Sequence, residues 1–205
     1  MKKLLITVIA LLVTGCSITP QTNAPTAVYD FGLQYADNRT RQAQLKSASL
    51  LVAEVASPIW LDNPAIHYRL AYHNPAQFYS YANSRWAAAP AALLTRQISN
   101  RIMQTTDYKV ARGIEGVQAD YALHIVLEDF SQVFDSIDKS YAVILLNVSL
   151  IERRTRKLVA QRNFSMRKET PTADAVGAVN ALVEVSNHLN NNLIDWLTDE
   201  IAEKK

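Results

Sequence analysis

The strongest constraint on the fold is an alternation of apolar and polar residues that runs through much of the segment from Asp120 to Met166. Its middle part, Tyr141 to Ile151, has an unbroken apolar face made of every second residue: Ala142, Ile144, Leu146, Val148 and Leu150. A period of two indicates a β-strand with one face on a core and the other toward water.

The flanking parts of this segment predict two partner strands. Asp120 to Phe134 alternates in the same way, but its phase changes at Glu128-Asp129, which indicates a β-bulge. Arg153 to Arg156 predict a turn, after which Lys157 to Met166 returns as a third strand. Four residues of that strand are expected to face inward: Leu158, Ala160, Phe164 and Met166. We therefore expect an antiparallel meander.

Two helices are expected beside the meander. The first should span about Ala89 to Gln104, with Leu94 and Ile98 in the core and Gln97 away from it. The second should begin at Thr170-Pro171, because Thr is a good N-cap and Pro fits the first helical position. Its apolar stripe consists of Val176, Val179, Leu182, Val183, Ser186, Leu189, Leu193, Trp196, Leu197 and Ile201.

Three shorter strands are predicted before the first helix, at Val28 to Leu33, Ala48 to Val55 and Ile66 to Tyr72. The resulting fold class is α+β: a mostly antiparallel sheet packed against two helices. A single domain over residues 28–205 has enough residues for a sizeable core. It is expected to follow a lipidated tether.

The first 15 residues have the organisation of a secretion signal. Lys2 and Lys3 precede an apolar run from Leu4 to Val13, which as a helix would span only about 15 Å and is too short to cross a bilayer. Val13-Thr14-Gly15-Cys16 then resembles the lipobox of bacterial lipoproteins. That resemblance implies that diacylglycerol is joined to Cys16, that the chain is cut before it, and that the new amine is acylated.

Cys16 is the only cysteine in the chain, so no intramolecular disulfide can form. A lone cysteine at a cleavage point favours an attachment site over an ordinary signal peptide with a chance cysteine, the alternative reading. Three acyl chains, palmitate among them, would hold the protein firmly on its membrane. Ser17, where inner-membrane lipoproteins tend to have Asp, implies the periplasmic face of the outer membrane. Residues 16–27 form the expected lipidated N-terminus and tether.

Charge and motifs argue against several function classes. Removing the signal takes away two lysines and leaves 19 basic against 19 acidic residues, so nothing suggests nucleic-acid binding. The sequence has no metal-ligand spacing among its four histidines, no Gly-rich phosphate loop and no GxSxG nucleophile motif. The absence of motifs does not exclude an enzyme, but the sequence offers no catalytic site and predicts no cofactor and no bound metal.

Two clusters of residues are candidate partner-binding surfaces. The first is the aromatic insert, His73 to Ser84, whose candidates are Phe78, Tyr79 and Tyr81. The alternative is that Tyr68 and Tyr72 are core and the other aromatic residues hold a long loop over it. The second is a basic hairpin that consists of Arg153, Arg154, Arg156, Lys157, Arg162, Arg167 and Lys168. Its candidates are Arg153, Arg154 and Arg156, in the turn from Arg153 to Arg156 that we call the arginine hairpin. It could be a solvated turn, a protein contact or a site for anionic phospholipid headgroups.

The stretch from Trp60 to Met103 resembles the ABC-type transport auxiliary lipoprotein family, the PqiC-like proteins. That family has an early Y-x-L-like strand, then D-x-P-x-I-x-Y-R, then W-x-x-x-P-x-x-L-L at the start of a helix. The matching residues here are Tyr29 to Leu33, Asp62 to Arg69, and Trp86, Pro90, Leu93 and Leu94. The chain departs from the pattern in its Tyr- and Asn-rich insert and in its basic turn, where a Gly-containing turn is commoner.

The resemblance implies a non-catalytic role in lipid transport between the inner and outer membranes. Family members accompany an ABC permease, an ATPase and a protein with mammalian-cell-entry (MCE) domains, and a homo-oligomer is a further expectation. Two other hypotheses remain: an envelope lipoprotein that assists outer-membrane or appendage assembly, and an anchored hydrolase. Neighbouring genes would separate the first two.

Overall fold

The structure is a computed structural model that describes residues 25–32, 48–113 and 116–203. The predicted signal peptide, Cys16 and Leu33 lie outside the described residues. The elements, in chain order, are β1 (Ala27–Tyr29), β2 (Ser49–Val52), β3 (Ala65–Leu70), β4 (Asn74–Trp86), α1 (Pro90–Thr105), β5 (Lys109–Arg112), β6 (Tyr121–Phe134), β7 (Ser140–Glu152), β8 (Lys157–Glu169) and α2 (Ala175–Ala202).

Strand β6 organises the sheet because it pairs along both of its edges. One edge carries the predicted antiparallel meander, β6–β7–β8. The other edge is shared: the first residues of β6 pair with β2, and the last residues pair with β3. Two arms extend from there, β2–β5 and β3–β4–β1.

The predicted α+β class is confirmed, and the sheet is mixed. The long ladders within the meander are antiparallel, as is the β3–β4 hairpin, whereas β2 and β3 join β6 in parallel. The phase change at Glu128 is also confirmed, because the β6–β7 register shifts between Leu127 and Asp129. After this bulge, the apolar side chains of β6 return to the core face at Phe130.

The core lies between the sheet and the two helices. Helix α2 packs on β6, β7 and β8 and contacts α1, which also packs on β5. The alternating face of β7 predicted from the sequence is fully buried, as are Leu182, Leu193 and Leu197 of α2. Each Å² of apolar surface removed from water contributes about 25 cal/mol to stability. This layer is therefore the main source of stability.

Gln97 does not lie where the helical periodicity predicted. Leu94 and Ile98 are in the core, as expected, but Gln97 is buried as well. Its Nε2 donates a hydrogen bond to Oδ1 of Asn187 at 3.0 Å, which links α1 to α2. A polar residue beside an apolar stripe can therefore mark a contact between two helices as well as a solvent face.

The predicted start of the second helix at Thr170 is wrong. The N-cap is Asp174, whose Oδ1 accepts a hydrogen bond from the Gly177 amide at 2.8 Å. The connecting segment passes so close to the helix that a Cβ on Gly177 would lie 2.0 Å from the carbonyl oxygen of Thr172. Glycine permits this approach. Thr170 is buried before the helix, where its amide donates to the Ser140 carbonyl.

The inward face predicted for β8 is only partly correct. Phe164 is buried and Met166 and Ala160 are half-buried, but the side chain of Leu158 is 58 % exposed. The β7–β8 register shifts between Leu150, which faces Ala160, and Ile151, which faces Leu158. Because of this shift, the β8 side chains before it lie on the opposite face from the one that strict alternation predicts.

Candidate functional site

The aromatic insert is a β-strand rather than a loop. Residues Asn74–Trp86 form β4, which pairs with β3 in antiparallel orientation. Because side chains alternate across a strand, Phe78 points to the opposite face from Tyr79 and Tyr81. The structure therefore separates the three predicted aromatic contacts, and Tyr72, expected in the alternative reading to be core, is 49 % exposed at the preceding turn.

Tyr79 and Tyr81 pack toward the helices. Both rings lie against Tyr68, with ring centroids 5.2 Å and 4.8 Å apart. The Tyr81 hydroxyl donates to Oε1 of buried Gln132 at 2.6 Å, and Gln132 Nε2 donates to Ser140 Oγ at 2.7 Å. Burial raises the pKa of Tyr81 far above its usual range. These contacts make Tyr81 part of an internal polar network.

Phe78 lies on the other face of the sheet, in a cluster of rings. It stacks on His67 at 4.5 Å between centroids and meets Trp60 edge-on at 4.6 Å. The guanidinium of Arg69 lies 4.4 Å from the Phe78 centroid, a cation–π distance. His67 is buried, and burial lowers its pKa. Phe78 thus contributes to packing, although it is only half-buried.

The arginine hairpin joins β7 to β8 at the far end of the meander, with Arg154 and Arg156 exposed. The Arg153 amide donates to the Asp120 carbonyl, and its guanidinium donates to the Val117 carbonyl. Arg156 has φ +58°, and it is the only non-glycine residue with positive φ in the described part of the chain. A side chain costs energy in this left-handed conformation, which glycine adopts freely.

These arginines line an open groove of about 770 Å³, which we call the arginine groove. Its wall also contains Ser49, the segment from Gly116 to Asp120, Ala122, His124 and Ile151. Asp120 is the acidic residue of the lining. Its Oδ2 accepts hydrogen bonds from the amide and hydroxyl of Ser49 at 2.7 Å and 2.6 Å, and these bonds lower the pKa of the Asp120 carboxyl.

The groove unites residues that the sequence did not associate. Arg153, Arg154 and Arg156 were singled out, but Ser49 and Gln118 were not, because β2 and the segment before β6 meet the hairpin only through sheet pairing. His124 was expected on the solvent side of its strand, and it is exposed there. No sequence signal connects Ser49 or Gln118 to an arginine 104 or 35 residues later in this way.

Other kinds of site have no counterpart in the ranges that the structure describes. Within 25–32, 48–113 and 116–203, no group of three His, Cys, Asp or Glu side chains is arranged to hold a metal ion. Neither helix in those ranges combines the length and apolarity needed to cross a membrane. A second groove, of about 670 Å³, has mixed charge, with Glu54 and Asp62 beside Arg96 and Arg112.

Solved structures share this fold. Protein XCC0632 from Xanthomonas campestris superposes with a TM-score of 0.75 at 20 % identity, over 87 % of this chain and 98 % of that one. The hypothetical protein CT253 from Chlamydia trachomatis has a TM-score of 0.52 at 7 % identity, over 74 % and 96 %. At such identities the likeness shows the fold alone. No curated protein matches the chain in sequence.

The sequence comparison identifies the family. The family model described as ABC-type transport auxiliary lipoprotein component matches residues 29–193, from β1 into the second half of α2. This range covers more than half of the chain and includes the meander, all of α1, most of α2 and all three arginines of the groove. The chain therefore belongs to the ABC-type transport auxiliary lipoprotein component family.

Proposed function

We propose that this protein is an auxiliary component of an MCE-type ABC system that moves lipids between the inner and outer membranes. It is anchored through acylated Cys16 on the periplasmic face of the outer membrane, and it docks or receives the MCE-domain protein. The role is non-catalytic, since the ABC permease and ATPase supply transport and ATP hydrolysis. The family match over residues 29–193 is the observation that carries this proposal.

The anchoring part of the proposal is supported by the sequence around Cys16. Signal, lipobox and a lone cysteine occur together, and the residues up to Ala27 provide a tether of at most about 35 Å. Cys16→Ser should leave uncleaved precursor or a soluble periplasmic form. Membrane fractionation with labelled palmitate tests this. Outer-membrane association and palmitate incorporation by the Cys16→Ser protein would contradict the anchoring.

The proposed contact surfaces are not equally accessible. Arg154 and Arg156 are exposed, whereas Tyr81 is engaged with Gln132 and Phe78 is packed under Arg69. The aromatic candidates Phe78, Tyr79 and Tyr81 and the basic candidates Arg153, Arg154 and Arg156 therefore need separate tests. Removal of a Tyr side chain tests packing as well as binding, whereas removal of Arg154 or Arg156 tests binding almost alone.

The decisive experiment is co-purification with the MCE-domain protein encoded beside the gene. Tagged full-length protein should retain that partner, and loss of the gene should weaken the outer-membrane barrier against detergents. Arg154→Ala/Arg156→Ala should reduce retention, because a loss of about 2 kcal/mol lowers affinity about thirtyfold. Arg162→Ala, on β8 outside the groove, is the matched control. A wild-type protein that retains no MCE protein would contradict the proposed function.

A further inference from the structure

The arginine groove has an excess of positive charge that its own wall does not neutralise. Three arginines and one acidic residue, Asp120, line the groove. The Asp120 carboxylate is already bonded to Ser49, and the Arg153 guanidinium donates to the Val117 carbonyl. In the described ranges, Arg154 and Arg156 form no ion pair. Guanidinium groups bind carboxylates through paired, charge-assisted hydrogen bonds. A groove of this composition therefore matches an anionic ligand.

The backbone at Arg156 supports a binding role. A left-handed φ of +58° disfavours any residue with a Cβ, and glycine would relieve the strain. Arg156 nevertheless stands at this position and brings a third cation to the groove. Backbone strain often occurs at functional sites. The strain at Arg156 therefore supports a binding role, because this side chain lines the groove.

The position of the tether distinguishes between membrane and protein as the source of the anion. Strand β1 runs parallel to β4, with Ala27 opposite Ser84 and Tyr29 opposite Trp86. The N-terminal end of β1 therefore points toward the side where β4 begins, near the β3–β4 turn. That turn adjoins Phe134 at the end of β6. The arginine hairpin lies at the other end of the same strand.

The distance between the start of the domain and the arginine hairpin also favours a protein over the anchoring membrane as the source of the anion. Strand β1 is three strands away from β6, and its partners lie level with Asp129, eight residues after Tyr121. Strand spacings put the hairpin about 30 Å from the start of the domain. Eleven residues with random-coil dimensions would span about 18 Å on average. The hairpin would reach the anchoring bilayer only if the tether were nearly extended and doubled back along the domain.

We propose that the arginine groove binds an acidic, extended segment of a periplasmic partner protein, whose Asp and Glu carboxylates pair with Arg153, Arg154 and Arg156. The volume of about 770 Å³ falls within the range of about 300–1,000 Å³ typical of ligand pockets and exceeds the needs of a single phosphate. This inference rests on the proposed function, which supplies such a partner, and it adds the chemistry of the contact.

The test uses the full-length lipoprotein in neutral detergent and a fluorescein-labelled peptide of ten glutamates as the probe. Wild-type protein should raise the fluorescence polarisation of this peptide. It should not change the fluorescence polarisation of a labelled peptide of ten lysines. Arg154→Glu/Arg156→Glu should weaken binding at least tenfold, and high salt should weaken wild-type binding. The control is Arg85→Glu/Lys139→Glu, which makes the same charge change outside the groove and should keep wild-type affinity.

Arg156→Gly keeps the test informative if the charge reversals impair folding. Glycine suits the local backbone, so this variant should fold at least as well as wild type and still bind the acidic peptide more weakly. Equal affinity of wild type, Arg156→Gly and the double reversal would overturn the proposal. An equal loss in the control pair would also overturn it, because the charge effect would then be nonspecific.

A second arm tests headgroups as the ligand. Protein anchored in phosphatidylcholine vesicles is mixed with phosphatidylglycerol vesicles, and clustering is followed by light scattering. Clustering that requires Arg154 and Arg156, without binding of the acidic peptide, would overturn the proposal in favour of lipid.

Co-purification of the MCE protein distinguishes a failure of the groove assignment from a failure of the proposed function. Equal retention by wild type and Arg154→Glu/Arg156→Glu overturns the groove assignment and leaves the proposed function standing. A partner that wild type never retains contradicts the proposed function, and the peptide measurement then decides on the groove by itself.

Discussion

The aromatic insert and the arginine hairpin belong to one sheet, the first as strand β4 and the second as the β7–β8 turn, but their side chains have opposite environments. Strand β4 places Tyr79 and Tyr81 against the helix side and Phe78 against His67 on the other side. The hairpin leaves Arg154 and Arg156 in solvent, beside a groove. Aromatic rings gain free energy by burial wherever a neighbour is available, whereas an unpaired guanidinium is too costly to bury.

This contrast assigns the two regions different roles. The aromatic insert contributes to stability, and its substitution should lower the free energy of unfolding. The arginine hairpin is proposed to contribute binding, and substitution of its exposed arginines should change the free energy of unfolding by no more than about 1 kcal/mol. Three substitutions test that division, and a fully buried core residue provides the scale.

Leu94→Ala should have the largest effect. Leu94 is completely enclosed between α1 and the sheet, so its truncation should lower the free energy of unfolding by about 2–5 kcal/mol. Arg96→Ala, two residues later and exposed, is the control and should change it by less than about 0.5 kcal/mol. Urea unfolding followed by circular dichroism measures both. Equal midpoints would contradict the assigned helix face.

Tyr81→Phe should have the next largest effect. It removes the hydroxyl that donates to Gln132 and leaves a buried acceptor unpaired, at a cost of about 1–3 kcal/mol. Tyr72→Phe removes a hydroxyl from an exposed ring at the β3–β4 turn and should be close to neutral. If the two variants unfold at the same urea concentration, the aromatic insert is not the internal element described above.

Arg156→Gly should have a smaller effect of opposite sign. Glycine relieves the left-handed strain at φ +58°, and the free energy of unfolding should rise by about 0.5–1 kcal/mol after the entropic cost of glycine is included. Arg154→Gly, at a position without positive φ, should lower it slightly. Thermal unfolding of the two variants gives the sign. Destabilisation by Arg156→Gly would contradict the strain.

Arg154→Ala should have the smallest effect on stability. Its side chain is exposed and makes no hydrogen bond within the described residues, so a change below about 0.5 kcal/mol is expected. Binding of the acidic peptide should nevertheless weaken. A loss of stability comparable to that of Tyr81→Phe would remove the distinction between the two regions.

The meander was the most predictable part of the fold. The face of β7 and the bulge at Glu128 could be inferred from the sequence because apolar residues recur at every second position over a long range. Strand β4 was missed because His73 to Ser84 is rich in Asn, Ser and Pro, which usually indicate loops. Pro75 is tolerated because β1 pairs only with the last residues of β4, which leaves that part of its edge free.

Other errors arose from features that depend on packing. Leu158 was assigned to the wrong face because the register shift at Val159 has no sequence signature. Thr170 has the right chemistry for an N-cap, but its hydroxyl donates to the Ser140 carbonyl instead. Asp174 caps the helix. The arginine hairpin was identifiable because charged residues in a turn stay in solvent. The groove beside it was not, since Ser49 and Gln118 reach it only through the sheet.

We propose that the domain turns the β6–β7 turn toward the membrane of the proposed Cys16 anchor and holds the arginine groove away from it. The chain has one cysteine, Cys16, so after acylation an introduced cysteine can be labelled specifically. Ile137→Cys places a donor dye on the β6–β7 turn, and Thr155→Cys places one on the arginine hairpin. The full-length protein is then anchored in phosphatidylcholine vesicles that contain an acceptor-labelled lipid. We expect clearly higher energy transfer from position 137 than from position 155. Equal transfer, or higher transfer from position 155, would contradict the claim.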